Sequence, residues 1–140
     1  MASEYKRAKN RAWKWFSLYV RARDCIKTTG SISRGKCVTC GREFDFKDLQ
    51  AGHFVQGRGN GVLFSEMGVH AQCRQCNIFN RGKLDEYAKY MYNRYDKEAV
   101  DNLIANKYNL VKFTLSDLEK IGDKYKKKYK ELVEKYGEPE

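Results

Sequence analysis

Two Cys-x-x-Cys pairs, Cys37-Val-Thr-Cys40 and Cys73-Arg-Gln-Cys76, constrain this chain more than any other feature of it. They are separated by 32 residues, and both histidines of the protein, His53 and His70, lie inside that interval. Thiolates at i and i+3 can occupy two corners of a tetrahedron, and a second pair from a distant segment closes the site. Cys37, Cys40, Cys73 and Cys76 are therefore expected to hold a structural Zn2+. Four thiolates leave no open position on that ion. Any chemistry must come from what the ion clips into place, chiefly Ala51-Gly52-His53-Phe54 and Asn77.

At 140 residues the chain is expected to form one domain overall. Within it we distinguish a basic N-terminal helix over 1–36, a zinc-supported core over 37–83 and a helical region over 84–140. The expected class is α+β: a small clipped core flanked by several helices. No apolar run is long enough to cross a bilayer, and the first residues lack the apolar stretch of a secretory signal. Five cysteines, four of them in knuckles, suit metal binding in a reducing compartment better than disulfides. Cys25, the fifth, reads as a small buried hydrophobe.

The net charge of +10 is unevenly placed. Residues 1–36 carry ten Lys/Arg against two acids, residues 37–83 six against four, and the rest twelve against twelve. A clustered excess of this kind suits a phosphate backbone, although a solvated helix face would look the same. Helical spacing of apolar residues predicts a helix over 5–28, with Arg7, Arg11, Lys14 and Arg21 in one outward stripe. Trp13 and Trp15 read as core rather than as a base-stacking platform. After the first knuckle, Phe44, Phe46 and Leu49 suggest a short turn or helix, and 50–55 a strand with His53 near its centre. A glycine-rich loop holds Arg58 and Asn60. Residues 62–64 and 69–71 look extended around a turn at 65–68. Cys73 and Cys76 should open a helix with Asn77 in its first turns. A break near Arg81-Gly82 precedes helices over 84–95 and 97–107. Ser116 and Glu119 have capping-box spacing before a last helix that runs to Tyr136.

The order of knuckle, strand with histidine, loop, strand, knuckle and asparagine resembles that of zinc-supported HNH nucleases, whose ββα-metal unit holds one divalent cation. More closely, Cys-x-x-Cys-Gly, Ala-Gly-His-Phe and Val-His-Ala-Gln-Cys-x-x-Cys-Asn resemble the phage recombination endonuclease family called NinG or Rap. The likeness spans roughly residues 13–136, and its specific part is Cys37 to Lys83. Longer members of that family carry a further N-terminal cysteine-bearing region, which this sequence lacks.

The resemblance implies a metal-dependent endonuclease that cuts branched recombination intermediates such as Holliday junctions and D-loops in a bacterial host's cytoplasm. In that scheme His53 is the base that activates water, and Asn77 faces a catalytic Mg2+ or Mn2+, with His53 beside the same ion. The alternative role for Asn77 is to cap a helix. His70 would bind metal or phosphate, or hydrogen-bond within the site. Glu66 is a further candidate to support His53 or the metal. Arg58, Arg74, Arg81 and Lys83 would meet phosphates together with the helical Arg7, Arg11 and Lys14. A junction has two strands to cut, so a homodimer is expected on that substrate.

The sequence departs from those patterns at three places. Gly52 stands where many HNH enzymes place an acid, Gln50 stands where the family often has one, and Gly68 replaces an asparagine for which Asn60 is a candidate substitute. The main rival reading is a DNA-binding zinc module with a degenerate HNH site. A protein-interaction zinc domain is the third.

Overall fold

A computed structural model describes residues 3–57 and 59–140. Arg58 lies outside the described residues. The fold begins with α1 (Glu4–Thr29), started by Ser3, whose Oγ accepts from the Lys6 amide at 3.1 Å. It ends at Gly30, whose φ of 82° allows its amide to reach the Ile26 carbonyl. The last helix, α5 (Leu115–Tyr136), lies along α1 over much of its length. Both helices run the same way: Arg11 and Ala12 meet Gly122, Phe16 meets Tyr125, and Trp15 meets Tyr129. A side chain at Gly122 would come within 2.4 Å of the Arg11 guanidinium. The Ala12 backbone would be 3.6 Å away, an ordinary contact, so an added Cβ would displace only the Arg11 side chain.

Two small antiparallel ribbons lie beside this pair. β1 (Arg34–Lys36) and β2 (Glu43–Asp45) frame the first knuckle. In it Gly41 adopts φ 74° and donates to the Cys37 carbonyl. β3 (Leu49–His53) pairs with β4 (Val69–Cys73) in a register that sets Leu49 opposite Cys73, Gly52 opposite His70 and His53 opposite Val69. Alternation along a strand then puts His53 and His70 on opposite faces. The His53 face meets α1 and α5 through Phe16, Val20, Val69 and Tyr125. The other face meets α3 (Leu84–Arg94) and α4 (Lys97–Ala105), where Tyr87 is fully buried and donates to the Gly52 carbonyl at 2.6 Å.

The outer edge of β4 has no strand partner and is satisfied by side chains instead. Asp24 accepts from the Ala71 amide at 2.7 Å, and Arg23 donates to the Val69 and Glu66 carbonyls at 2.7 and 2.8 Å. Val38 of the first knuckle donates to the Ala71 carbonyl. The edge is therefore closed by α1 and by the cysteine loop together. Cys25 is buried as expected: Gly35 lies so close that a Cβ on it would be 2.6 Å from the Cys25 sulfur, and burial pushes that thiol up to about 12.

The architecture is mixed helix and small sheet, and several local expectations need correction. Residues 62–64 are not extended: α2 (Asn60–Leu63) is a single helical turn that packs on 106–108. The last helix is capped two residues earlier than expected. Thr114 and Asp117 form the reciprocal box, because Leu115 is already helical. Cys73 ends a strand rather than opening a helix, and Asn77 sits in a short π-helical segment, Gln75–Phe79. That segment stops where Arg81, Gly82 and Lys83 take φ of 53°, 89° and 50°. Among the described residues no helix is long and apolar enough to cross a membrane.

Asp24 is the buried charge on which this closure turns. Burial raises a carboxyl pKa, but hydrogen bonds from His70 and Arg23 outweigh that and hold Asp24 at about 2. A folded-state value below the ordinary 3.8 stabilises the fold above about pH 4, and that contribution is lost as pH falls from about 4 to about 2. Asp24→Asn should cost about 2 kcal/mol at pH 7, with the gap from wild type starting to narrow as pH falls below about 4. Urea unfolding of both proteins at each pH measures it; a gap that is constant with pH would contradict this account of Asp24.

Candidate functional site

The four knuckle sulfurs lie within 4.8 Å of one another, and three of the four cysteines are buried. Cys40 and Cys73 Sγ are 3.9 Å apart. A tetrahedral ion with Zn–S bonds near 2.3 Å needs sulfur separations of about 3.8 Å. The four could therefore hold a zinc ion with little movement. The sequence folds this way locally because each pair is followed by a tight turn. Gly41 closes the first, and the second straddles the end of β4 so that the Cys76 amide points at Cys73 Sγ, 3.5 Å away. Burial and the neighbouring thiols push the Cys73 thiol up, whereas at Cys37 hydrogen bonds from Thr39 and the backbone outweigh burial and hold the thiol below its usual range.

One residue connects this cluster to the histidine. Gln72 is 0% exposed, and its Nε2 donates to Thr39 Oγ1 at 3.1 Å and to the Gly82 carbonyl at 2.8 Å. Thr39 in turn touches Cys37 Sγ at 3.3 Å. The remaining oxygen, Gln72 Oε1, is buried, has no hydrogen-bond partner among the described residues and rests against Gly52. A Cβ on Gly52 would lie 2.1 Å from that oxygen and 3.1 Å from Asn77 Oδ1. An acid at this position, common in HNH enzymes, has no room here.

His53 and Asn77 face the same cavity, of about 150 Å³, lined by Trp13, Ala51, His53, Gln56, Gly57 and Asn77. Each is oriented by a specific partner. His53 Nε2 is 3.1 Å from the Leu63 carbonyl, which can only accept, so Nε2 is the donor in that hydrogen bond. The imidazole stacks on Trp13, with ring centres 5.1 Å apart and planes 15° apart. Asn77 Nδ2 donates to Gln50 Oε1 at 2.8 Å, which turns Oδ1, a hard neutral oxygen, toward Gly52. Trp13, Gln50 and Gln56 were missed as site residues. Trp13 reads from the sequence as core, and only its contact with a strand 40 residues away reveals its place at the cavity.

The other candidates lie elsewhere. His70 is turned to the opposite face and is 2% exposed. Its Nδ1 meets Arg23 and Asp24 at 3.2 and 3.4 Å, and its Nε2 meets the Met67 carbonyl and the Tyr95 hydroxyl at 2.9 and 3.3 Å. It braces the fold and does not line the cavity. Glu66 accepts from Tyr125 at 2.9 Å and from Lys128 at 3.1 Å, tying its loop to α5 rather than supporting His53. Asn60 donates to the Val111 carbonyl and accepts from Lys9, so it holds loops together and does not fill the role of the missing asparagine. Gly68 is packed so that a Cβ would meet Leu103 at 3.0 Å.

The cations of α1 do not form one outward stripe. Arg11 pairs with Asp123 of α5 at 2.8 Å, Lys14 lies over the Trp15 ring, and Arg21 is tucked over Phe46. Arg7 is exposed, and none of Arg7, Arg11 and Lys14 lines the cavity. Arg74, Arg81 and Lys83 are exposed around the π-helical segment.

The sequence pattern of the family described as NinG, Bacteriophage Lambda NinG protein, matches residues 3–135. Among curated relatives, Protein ninG of Escherichia phage 933W is 32% identical over 97 residues, which is 69% of this chain and 47% of the relative. Protein ninG of Escherichia phage lambda is 30% identical with the same coverage. The chain thus spans about half the length of the curated relatives it matches. No solved structure matches it. On the match across nearly its whole length, this chain belongs to the phage NinG family.

Proposed function

We propose that this protein is a zinc-supported, HNH-type endodeoxyribonuclease that acts on branched recombination intermediates in a phage-infected bacterial cell. The observation that carries the reading is the shared cavity. A histidine and a carboxamide oxygen converge there from segments held by one four-sulfur cluster. Hydrolysis of a phosphodiester needs a base for water and an electrophile for the developing charge, and these are residue types able to supply or hold both. Family membership supports the phage setting.

In this scheme His53 Nδ1 takes the proton of the attacking water, while the Leu63 carbonyl holds the opposite edge of the ring. The Trp13 face restrains the imidazole plane and accepts the imidazolium that forms. A single lone pair cannot both deprotonate water and ligate a metal, so His53 is assigned as base and Asn77 Oδ1 as ligand. Bound Mg2+ or Mn2+ would supply positive charge to the phosphoryl oxygens and the leaving 3′ oxygen. The described lining of the cavity contains no carboxylate. The substrate's own phosphate must then provide the negative ligands, as suits Mg2+, which is commonly shared between protein and phosphate. That same lack of a carboxylate is what favours the rival reading, a DNA-binding module without catalysis.

Two measurements separate these readings. Purified protein should carry about one zinc per chain, and Cys73→Ser should lose both that zinc and cooperative unfolding, since metal binding supplies folding free energy in such sites. Zinc content and a thermal melt read this; a variant that melts like wild type without zinc would remove the ion from the account. On a labelled four-way junction, wild type should give Mg2+-dependent products. His53→Ala should cut at least about 100-fold more slowly with zinc content unchanged. Binding without cleavage by the wild type would establish the rival, and undiminished cutting by His53→Ala would reject the base assignment.

A further inference from the structure

We propose that the groove beside the cavity carries one DNA strand away from the scissile phosphate, and that Phe79 stacks on an unpaired base at its end. The proposal rests on the nuclease reading for its substrate, and it adds the feature that selects unpaired nucleotides at a branch. Four observations converge on it.

The groove, of about 650 Å³, presents Arg42, Lys47 and Arg74 with a single acid, Asp48. All three cations are exposed; Arg42 hydrogen-bonds the Cys40 thiol, while among the described residues Lys47 and Arg74 have no acidic partner within ion-pair distance. Gln50 belongs to both places: it lines the groove, and its Oε1 holds Asn77, which lines the cavity. A strand bound along the cations is therefore led to the residues assigned to chemistry.

Beyond the groove, Phe79 is 64% exposed and Ile78 51% exposed, on the π-helical segment that also carries Asn77. Large apolar side chains standing free next to cations are costly in water unless something covers them. The Arg74 guanidinium sits 5.6 Å from the centre of the Phe79 ring, so an aromatic face and a planar cation are already paired. Aromatic and arginine faces of this kind bind the flat bases of single strands whatever their identity. In intact duplex the bases are already stacked, so Phe79 gains a partner only where pairing is interrupted. Charge complementarity names nucleic acid as the occupant of the groove, and the exposed ring names an unpaired base as the occupant of its end.

The test is binding of zinc-loaded protein to a fork carrying 2-aminopurine at the branch, beside a linear duplex of the same sequence. Chelator-free buffer without added divalent cation keeps the DNA uncut. Wild type should raise 2-aminopurine fluorescence and prefer the fork. Phe79→Ala should lose about tenfold in fork affinity and most of the fluorescence rise, with duplex affinity unchanged. Phe79→Trp should retain both, while Phe79→Leu, which keeps apolar bulk without the ring, should behave as alanine does. Lys47→Ala with Arg74→Ala should lower the slope of log affinity against log salt by roughly 1.4, about 0.7 per phosphate on a single strand. Equal losses on fork and duplex for Phe79→Ala, an unchanged fluorescence rise, or an unchanged salt slope for the double variant would each overturn the proposal. A protein that binds in this pattern and never cuts would overturn the nuclease reading and leave this one standing.

Discussion

Four sulfur atoms within 4.8 Å of each other are the constraint on which the rest of this structure depends. The strands they terminate are five residues or shorter, and the β3–β4 ribbon is only two strands wide. An isolated ribbon of that size is marginal in water. It persists here because its ends are tied through the cysteines, one face is covered by α1 and α5, and the other by α3 and α4. The edge that would remain open is filled by Asp24 and Arg23 rather than by another strand. A charged pair reaching from a helix does the work of a neighbouring backbone.

The coupling between the sulfur cluster and the cavity is short and physical. It runs from Cys37 to Thr39, from Thr39 to the Gln72 amide, and from Gln72 Oε1 to the bare Cα of Gly52, beside which Asn77 Oδ1 also lies. Gln72 additionally holds the Gly82 carbonyl, within the left-handed stretch that ends the π-helical segment. Displacement of the first knuckle would thus be felt at Asn77 through a fully buried side chain. Gly52 is the point where these groups crowd together, which explains why a residue without a side chain stands there.

Much of this was legible in the residues before any coordinates. The cysteine cluster followed from spacing alone, because i and i+3 thiols admit few other uses. The long first and last helices followed from apolar periodicity, and the convergence of His53 and Asn77 on one cavity agrees with the order of motifs. What could not be read was direction. His70 was a second candidate for the site beside His53, yet a register of Gly52 with His70 sends the two rings to opposite faces, and register is set by pairing that the local sequence does not encode. The basic stripe of α1 looked solvated because its partners, Asp123 and Phe46, are distant in the chain. Trp13 looked like core because its helix face is apolar, and Gln50 looked like a missing acid when it is the group that aims Asn77.

The central claim is that the sulfur-bound ion holds an imidazole and a carboxamide at one cation-accepting pocket. The most direct measurement is paramagnetic broadening by Mn2+ of the His53 ring and Asn77 side-chain amide resonances in zinc-loaded protein. The account predicts that both broaden together, before other histidine or asparagine signals, and that the effect disappears once zinc is stripped. Broadening of His70 in place of His53, or of Asn77 alone, or persistence of the joint effect without zinc, would contradict it.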